Sequence, residues 1–242
     1  MTLQVMQSEA QNRRAREELR RRRISYWPGR PRRSLLDLAL RRSAIDVGDP
    51  RKSWDVLESV RLIESRLPPD APILDLGAYA SEILCCLHLA GFRRLTGIDL
   101  NPRVRAMPFN RSICYRVGDM CATGLADGSQ AAITAISAIE HGVDLPRLLA
   151  EAARLLAPGG LLVCSTDYWP QKIDTTGVRI YGLAWRIFSR AELQALIEGA
   201  AAHGLSPVSE CRFEASESPI EHAGRRYTFA WLALAKTGTR RT

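Results

Sequence analysis

The chain has 242 residues, of which 46% are hydrophobic, 25% charged and 7% aromatic. This length fits one large domain, or one domain with an appendage, and the apolar residues suffice for a buried core. The composition excludes a disordered chain and a collagen, and no apolar run approaches the roughly 20 residues that span a bilayer. We therefore expect a soluble protein that makes no membrane contact.

The net charge of +8 is concentrated at one end of the chain. Residues 1–51 carry 13 arginines and 6 acidic residues, whereas the rest is almost neutral. We predict an Arg-rich N-terminal arm over residues 1–48, polar on every side at 9–23, with a linker at 24–33 and a short helix at 34–44. The arm could serve as a lid or as a contact for a partner, such as a second copy in a homodimer. A clamp for nucleic acid is a less favoured alternative.

The cysteines indicate the compartment. Six are present, they include no C-x-x-C pair, and most lie in apolar runs, as buried reduced thiols do. The first 25 residues lack the apolar stretch of a signal peptide. We therefore predict a cytoplasmic location, and because no metal-ligand spacing is visible, we predict no metal site.

From residue 49 onward the chain alternates between strand and helix patterns. Asp49 and Pro50 suit the start of a helix, and Pro68 and Pro69 end it. Further helices are predicted at 81–90 and 145–156, the latter capped by Asp144. Strands are predicted at residues 71–77, 95–100, 113–117, 131–137 and 161–166. Continuously apolar strands between helices indicate a parallel sheet covered on both faces.

The end of the chain has a different pattern. Ser189 and Glu192 form a capping box that opens a helix to about residue 203. Two extended runs at 207–213 and 226–235 follow, and they predict an antiparallel hairpin at the sheet edge. The fold expected for residues 49–242 is thus α/β: a doubly wound, Rossmann-like, seven-stranded sheet, mostly parallel, with helices on both faces and an antiparallel C-terminal strand.

Two strand ends carry a pattern typical of nucleoside binding. In a doubly wound sheet, ligands bind at the carboxyl ends of the strands, beside the switch in strand order. Asp75, Gly77 and Ala78 stand at the end of the first predicted strand, and Asp99 at the end of the second. From Gly77 to Asp99 the separation is about 20 residues, the interval at which a carboxylate reaches ribose hydroxyls.

Five motifs in order resemble the class I S-adenosylmethionine-dependent methyltransferases. They are D-L-G at 75–77, I-D-L at 98–100, G-D-M at 118–120, S-A-I-E-H at 137–141 and L-L-A-P-G-G-L-L at 155–162. The resemblance implies methyl transfer from S-adenosylmethionine, with S-adenosylhomocysteine as product, to a small-molecule acceptor. O-methylation of a sugar or specialised metabolite is favoured. An RNA methyltransferase using the basic arm, and an inactive methyltransferase-like binding protein, are the alternatives.

The resemblance also implies which residues contact the cofactor. Asp75 would help to hold the methionine amino group, Asp99 the ribose, and Asp119 the adenine amino group. The remaining cofactor-binding residues that the resemblance implies are Gly77, Ala78, Tyr79, Leu100, Met120, Ala135 and Ser137.

The loop after the first strand departs from the family pattern. The family reads G-x-G-x-G, but Tyr79 and Ser81 occupy the second and third glycine positions. A tyrosine there must take an ordinary backbone conformation or turn its ring over the pocket. Ser81 could cap the following helix. The same departure counts against a dinucleotide-binding dehydrogenase, which needs G-x-G-x-x-G.

The acceptor side is predicted from residues that follow the fourth and fifth strands. His141 is a candidate general base, with a structural role as the alternative, and Asp167 is a second candidate base. Residues 166–188 form a long connection, as binding segments often do. Its predicted acceptor-binding residues, some of which could instead simply pack the loop, are Tyr168, Trp169, Lys172, Tyr181 and Trp185.

Overall fold

The computed structural model describes residues 2–26 and 45–238. The predicted helix at 34–44 and most of the predicted linker, including Trp27, lie outside these ranges. The helices are α1 (Glu9–Arg21), α2 (Ser53–Arg66), α3 (Ile83–Leu89), α4 (Leu145–Leu155) and α5 (Arg190–Ala201). The strands are β1 (Leu3–Val5), β2 (Pro72–Leu76), β3 (Arg94–Asp99), β4 (Cys114–Val117), β5 (Gln130–Ile136), β6 (Leu156–Tyr168), β7 (Arg179–Ile180), β8 (Leu183–Ala184), β9 (Leu205–Pro207), β10 (Ile220–His222) and β11 (Arg225–Lys236).

The main sheet has the strand order β1-β11-β6-β5-β2-β3-β4. Strands β4, β3, β2, β5 and β6 run parallel, and β11 runs antiparallel to β6. The chain builds outward from β2 to β4 and then crosses back to β5, so the strand order switches between β2 and β5. These observations confirm the predicted doubly wound α/β sheet with an antiparallel C-terminal strand.

The edge beyond β11 differs from the prediction. Three short strands cover it in succession: β10 at Arg225 to Tyr227, β1 at Ala230 to Leu232, and β9 at Leu234 to Lys236. The predicted run at 226–235 is β11, but its hairpin partner is β10 and not the predicted run at 207–213, of which Pro207 alone belongs to a strand, β9. Strand β11 is also flanked rather than exposed. Strand β1 was not predicted, because a three-residue strand is defined by the strand it pairs with and not by its own pattern.

The described part of the Arg-rich arm packs on the domain. Helix α1 begins at Ser8, whose Oγ accepts a hydrogen bond from the Gln11 amide at 3.2 Å. Its side chains Ala15 and Leu19 are buried, and the helix lies against α2. Residues 9–21 thus form a helix with one buried face, which corrects the prediction that residues 9–23 are polar on every side.

Both faces of the sheet are covered by helices. Apolar side chains of α4 and α5 form a core on one face, and those of α1, α2 and α3 form a core on the other. The predicted helix starts are confirmed at Asp144 and Ser189, each of which accepts a backbone N–H, and Glu192 completes the capping box. Asp49 also accepts a backbone N–H, but it caps a short 3₁₀ turn, Pro50–Lys52, that leads into α2. Within residues 2–26 and 45–238, no helix is long and apolar enough to cross a membrane.

Shortening Leu3 tests whether β1 belongs to the cooperative fold. The side chain is fully buried, so Leu3→Ala should lower the free energy of unfolding by about 3 kcal/mol, measured by urea denaturation. The matched change Gln4→Ala affects a half-buried side chain that points away from this core, and it should cost about 0.5 kcal/mol or less. An unchanged stability of Leu3→Ala would contradict the packing of β1.

Candidate active site

The loops after β2, β4 and β5 meet at Gly77. Its φ of +80° is left-handed, and its amide donates to the Ile98 carbonyl oxygen at 2.9 Å. A Cβ placed on this glycine would lie 2.7 Å from the Ala138 Cβ and 3.7 Å from the Met120 Cε. Glycine is therefore the only residue type that fits at position 77 without displacing the neighbouring loops. This position lies beside the point between β2 and β5 where the strand order switches.

Asp99 joins the loop after β2 to the loop after β3. Its Oδ2 accepts the Tyr79 amide at 3.0 Å, and its Oδ1 accepts the Asn101 amide at 2.7 Å. A carboxylate offers about four lone-pair sites, so it can still accept hydrogen bonds from hydroxyls of a ligand. The adjacent Leu100 is 66% exposed, which leaves an apolar side chain free at the same edge.

Tyr79 takes an ordinary backbone conformation. The left-handed conformation falls on Ala80, whose φ is +61°. The Arg103 guanidinium lies 5.8 Å from the centroid of the Tyr79 ring. Ser81 does not cap α3, contrary to prediction: Glu82 is the N-cap residue, and no side chain caps the helix.

Two buried side chains at the strand ends keep an oxygen without a partner. The Thr134 hydroxyl donates to Oδ1 of Asp75 at 2.6 Å, but Asp75 Oδ2 has no hydrogen-bond partner among the described residues. Burial raises the pKa of Asp75 to about 7, against the effect of the Thr134 hydroxyl. Ser137 is held by its amide, which donates to the Ser165 carbonyl oxygen at 3.0 Å, and its Oγ is likewise unpaired in the part of the chain that the structure describes.

The remaining predicted cofactor residues lie around this point. Ala78 is buried beside Gly77, and Ala135 is buried in β5. Asp119 is about half exposed, and its Oδ1 accepts the Cys121 amide at 2.8 Å. Met120, whose Cε lies near Gly77, packs against the core. The structure thus brings the predicted cofactor residues together at the ends of β2 to β5.

Near the end of β6, Asp167 is bound on both carboxylate oxygens. Oδ1 accepts from Lys52 Nζ at 3.1 Å, and Oδ2 accepts from Trp185 Nε1 at 2.7 Å. The Lys52 ammonium group also lies 3.5 Å from the centroid of the Phe229 ring. Burial opposes the charge on Lys52, but Asp167, Glu140 and other carboxylates raise its pKa above the ordinary value. Sequence reasoning missed Lys52, which only the fold brings to Asp167.

Two further acids, also missed, complete this cluster. Asp55 on α2 accepts from the Ser165 hydroxyl at 2.6 Å, and burial raises its pKa to about 6. Glu140 is 1% exposed, and its Oε2 has no partner within the described ranges. Burial and the Asp167 carboxylate raise the pKa of Glu140 well above its usual range, whereas Lys52 acts in the opposite direction. The only sequence signal for Glu140 was its position beside His141.

His141 is half-buried at the same strand end. Its ring meets the Tyr181 ring edge-on at 5.7 Å, and its Nδ1 is buried without a partner in residues 2–26 and 45–238. Burial lowers the pKa of His141 below its ordinary value. The imidazole is therefore neutral at pH 7 and can accept a proton.

Part of the chain matches a known protein family. The family described as "Methyltransferase domain" matches residues 74–164, the segment that contains Gly77, Asp99, Asp119 and His141. The match supports a class I S-adenosylmethionine-dependent methyltransferase domain over these residues. A curated relative is the eEF1A lysine and N-terminal methyltransferase of Danio rerio, 29% identical over 117 residues. That alignment covers 43% of the chain and only 17% of the relative.

Solved structures share the fold of this methyltransferase domain at low identity. One is the geranyl diphosphate C-methyltransferase of Streptomyces coelicolor A3(2), in complex with Mg²⁺, geranyl diphosphate and S-adenosyl-L-homocysteine. It is 18% identical with a TM-score of 0.56, and the alignment covers 79% of this chain and 85% of that chain. An S-adenosylmethionine-dependent methyltransferase of Mesorhizobium loti is 18% identical with a TM-score of 0.54, and the alignment covers 76% of this chain and 97% of that chain. The [4+2]-cyclase SpnF, 17% identical, has a TM-score of 0.57 and covers 79% and 84%. Since a cyclase shares the fold, the reaction has to be argued from the site.

The predicted acceptor residues of the methyltransferase domain separate into two groups. Lys172 and Trp185 line a cavity of about 290 Å³ within residues 172–186. Tyr181 is 89% exposed at the turn between β7 and β8, and Trp169 is half-buried against the core.

Tyr168 belongs to the core and not to the cavity. It is fully buried, and its hydroxyl donates to the Phe213 carbonyl oxygen at 2.6 Å. Strand β6 continues to this residue, so Tyr168 points to the opposite face from Asp167. This placement corrects the expectation that Tyr168 binds the acceptor.

The raised pKa of Asp75 predicts a pH dependence of stability. The folded protein keeps this proton up to about pH 7, whereas the unfolded chain loses it near pH 4. Between these values the unfolded state binds fewer protons, so stability falls as pH rises, by up to about 1.4 kcal/mol per pH unit from this group.

The variant Asp75→Asn has no titrating group at this position, so only the wild type should lose stability as the pH rises. The free energy of unfolding of the variant, relative to that of the wild type, should therefore increase from pH 4 to pH 7 when measured by urea denaturation. The exposed Asp70→Asn is the matched control and should follow the wild type. A stability difference between Asp75→Asn and the wild type that stays constant with pH would contradict the buried, protonated carboxyl.

Proposed function

We propose that the protein transfers the methyl group of S-adenosylmethionine to a small-molecule acceptor, with an oxygen of a sugar or a specialised metabolite as the favoured site. The observation that carries this proposal is the convergence of Gly77, Asp99 and Met120 beside a buried polar cluster that still has unpaired atoms. Gly77, Asp99 and Met120 suit a nucleoside that carries a methionine chain. The buried polar cluster suits an acceptor that loses a proton.

The residues present fit this cofactor. Asp75 Oδ2 and Ser137 Oγ are buried atoms without a partner among the described residues, and they would receive the amino and carboxyl ends of the methionine part. Asp99 has lone pairs left for the ribose hydroxyls. Asp119 would bind the adenine amino group, and Leu100 and Met120 would pack on the ring. Once bound, the sulfonium would supply an electrophilic methyl carbon, which an acceptor heteroatom would attack in line as the carbon–sulfur bond breaks and S-adenosylhomocysteine leaves.

His141 is the residue that we assign to proton transfer. Its neutral imidazole and free Nδ1 suit removal of a proton from a hydroxyl group. Asp167, the other candidate base, already accepts two hydrogen bonds, from Lys52 and Trp185, so its role is to hold these two side chains. Glu140, which favours its protonated form, can donate a hydrogen bond to the acceptor.

The cavity in residues 172–186 supports the proposed acceptor class. Its volume of about 290 Å³ suits a molecule the size of a monosaccharide better than a macromolecule. Arg179 and Lys172 supply hydrogen-bond donors, and Trp185 supplies an aromatic wall. Such a mixture favours a polyhydroxylated or ring-bearing acceptor.

Cofactor binding is the first test. Isothermal titration of the purified protein with S-adenosylhomocysteine should give micromolar affinity. Asp99→Asn should weaken it at least tenfold, because hydrogen bonds to a charged group contribute about 1.5–3 kcal/mol. The exposed control Glu198→Gln should bind as the wild type does. If the wild-type protein binds neither S-adenosylmethionine nor S-adenosylhomocysteine, the proposed function is wrong.

The acceptor class is tested with S-adenosylmethionine labelled in its methyl group. The protein is incubated with a cell extract that is then separated into small molecules, RNA and protein, and we expect label in the small molecules. His141→Ala should lower the rate at least 100-fold, the usual contribution of a general base, whereas the exposed His203→Ala should not. Label confined to RNA or to protein would contradict the proposed acceptor class.

A further inference from the structure

One buried arginine connects the N-terminal helix to the site. The Arg16 side chain on α1 is 7% exposed, and its guanidinium donates to both carboxylate oxygens of Glu82 at 2.9 Å. It also donates to the hydroxyls of Ser53 and Ser25, each at 2.8 Å, and to the Asp49 carbonyl oxygen at 3.5 Å. All five N–H donors of this side chain are therefore used, in a geometry that no other residue type can reproduce.

The partner of this arginine stands at the end of the cofactor loop. Glu82 directly follows residues 77–81 and is the N-cap residue of α3. It is 3% exposed, and its Oε1 also accepts the Tyr26 amide at 2.8 Å. A carboxylate so deeply buried requires a cationic partner. The N-terminal segment thus holds the point at which the loop enters its helix.

The loop over residues 77–81 also contains one residue in an unfavourable backbone conformation, and this residue has further contacts outside the loop. Ala80 adopts a left-handed conformation that is unfavourable for a residue with a Cβ. Its amide contacts the Met107 Sδ at 3.3 Å, and its carbonyl oxygen accepts the Gly48 amide at 2.8 Å. Gly48 and Asp49 are adjacent, so the same short segment contacts both the loop and Arg16.

We propose that Arg16 is a positioning residue for cofactor binding: through Glu82 it holds residues 77–81 in the conformation that receives the methionine end of S-adenosylmethionine. This role rests on the proposed function. It gives part of the basic arm a structural task inside the domain, in place of contact with nucleic acid.

Two surface ion pairs supply matched controls. Arg22 with Glu64, and Arg61 with Glu18, each at 2.5 Å, join α1 to α2. Both pairs are partly exposed, and neither contacts the cofactor loop. Arg61→Met therefore removes an arginine from the same helix contact without affecting residues 77–82.

The central experiment measures the affinity for S-adenosylhomocysteine by calorimetry and amide hydrogen exchange at Tyr79. Arg16→Met should weaken binding at least tenfold and speed exchange of the Tyr79 amide about tenfold. Arg61→Met should stay within twofold of the wild type on both. If Arg16→Met does not fold, Arg16→Lys keeps the charge but not the two parallel hydrogen bonds, and it should bind three- to tenfold more weakly.

A double variant separates positioning from stability. Arg16→Met with Glu82→Met replaces the buried ion pair by apolar side chains, a change that restores thermal stability in other proteins. We expect the melting temperature to recover while the affinity loss remains. If affinity recovers together with stability, or if the folded Arg16 variants bind within twofold of the wild type, Arg16 has no positioning role. A wild-type protein that does not bind S-adenosylhomocysteine would instead overturn the proposed function.

Discussion

Helices on both faces of five parallel strands leave the carboxyl edge of the sheet as the place where polar groups can gather. Where this edge is buried, at Asp75, Glu140 and Asp167, polar groups need partners within the protein. Lys52 binds Asp167, and Asp99 accepts two backbone amides. Breaking the Lys52–Asp167 pair would leave a buried carboxylate without its charged partner, which is strongly destabilising.

The same constraint explains why net charge is a poor guide to the partner of this protein. Most of the excess positive charge lies in the N-terminal residues, but the structure places Arg16 in the interior and pairs Arg22 with Glu64 on α2. These arginines stabilise contacts within the chain. What distinguishes the site is the geometry of a few buried carboxylates and one neutral histidine.

The sequence predicted the features that depend on neighbouring residues. The apolar strands, the caps at Asp144 and Ser189 and the approach of Asp99 to the loop at Gly77 follow from local patterns and regular spacing, and each is present. Lys52 and Glu140 could not be predicted, because charged residues are normally exposed and only the tertiary fold buries these two. Tyr168 was misplaced because β6 extends two residues beyond its predicted end, which decides the face of the sheet that each side chain occupies.

Strand β1 has a consequence for how the protein folds. Leu3 pairs with Leu232, so β1 can join the sheet only after residues 230–232 of β11 have been synthesised. Closing so long a loop costs little more free energy than closing a shorter one, but contacts between distant residues slow folding. The contacts of β1 therefore form late in folding, whereas α1 can pack on α2 as soon as residues 53–66 are available.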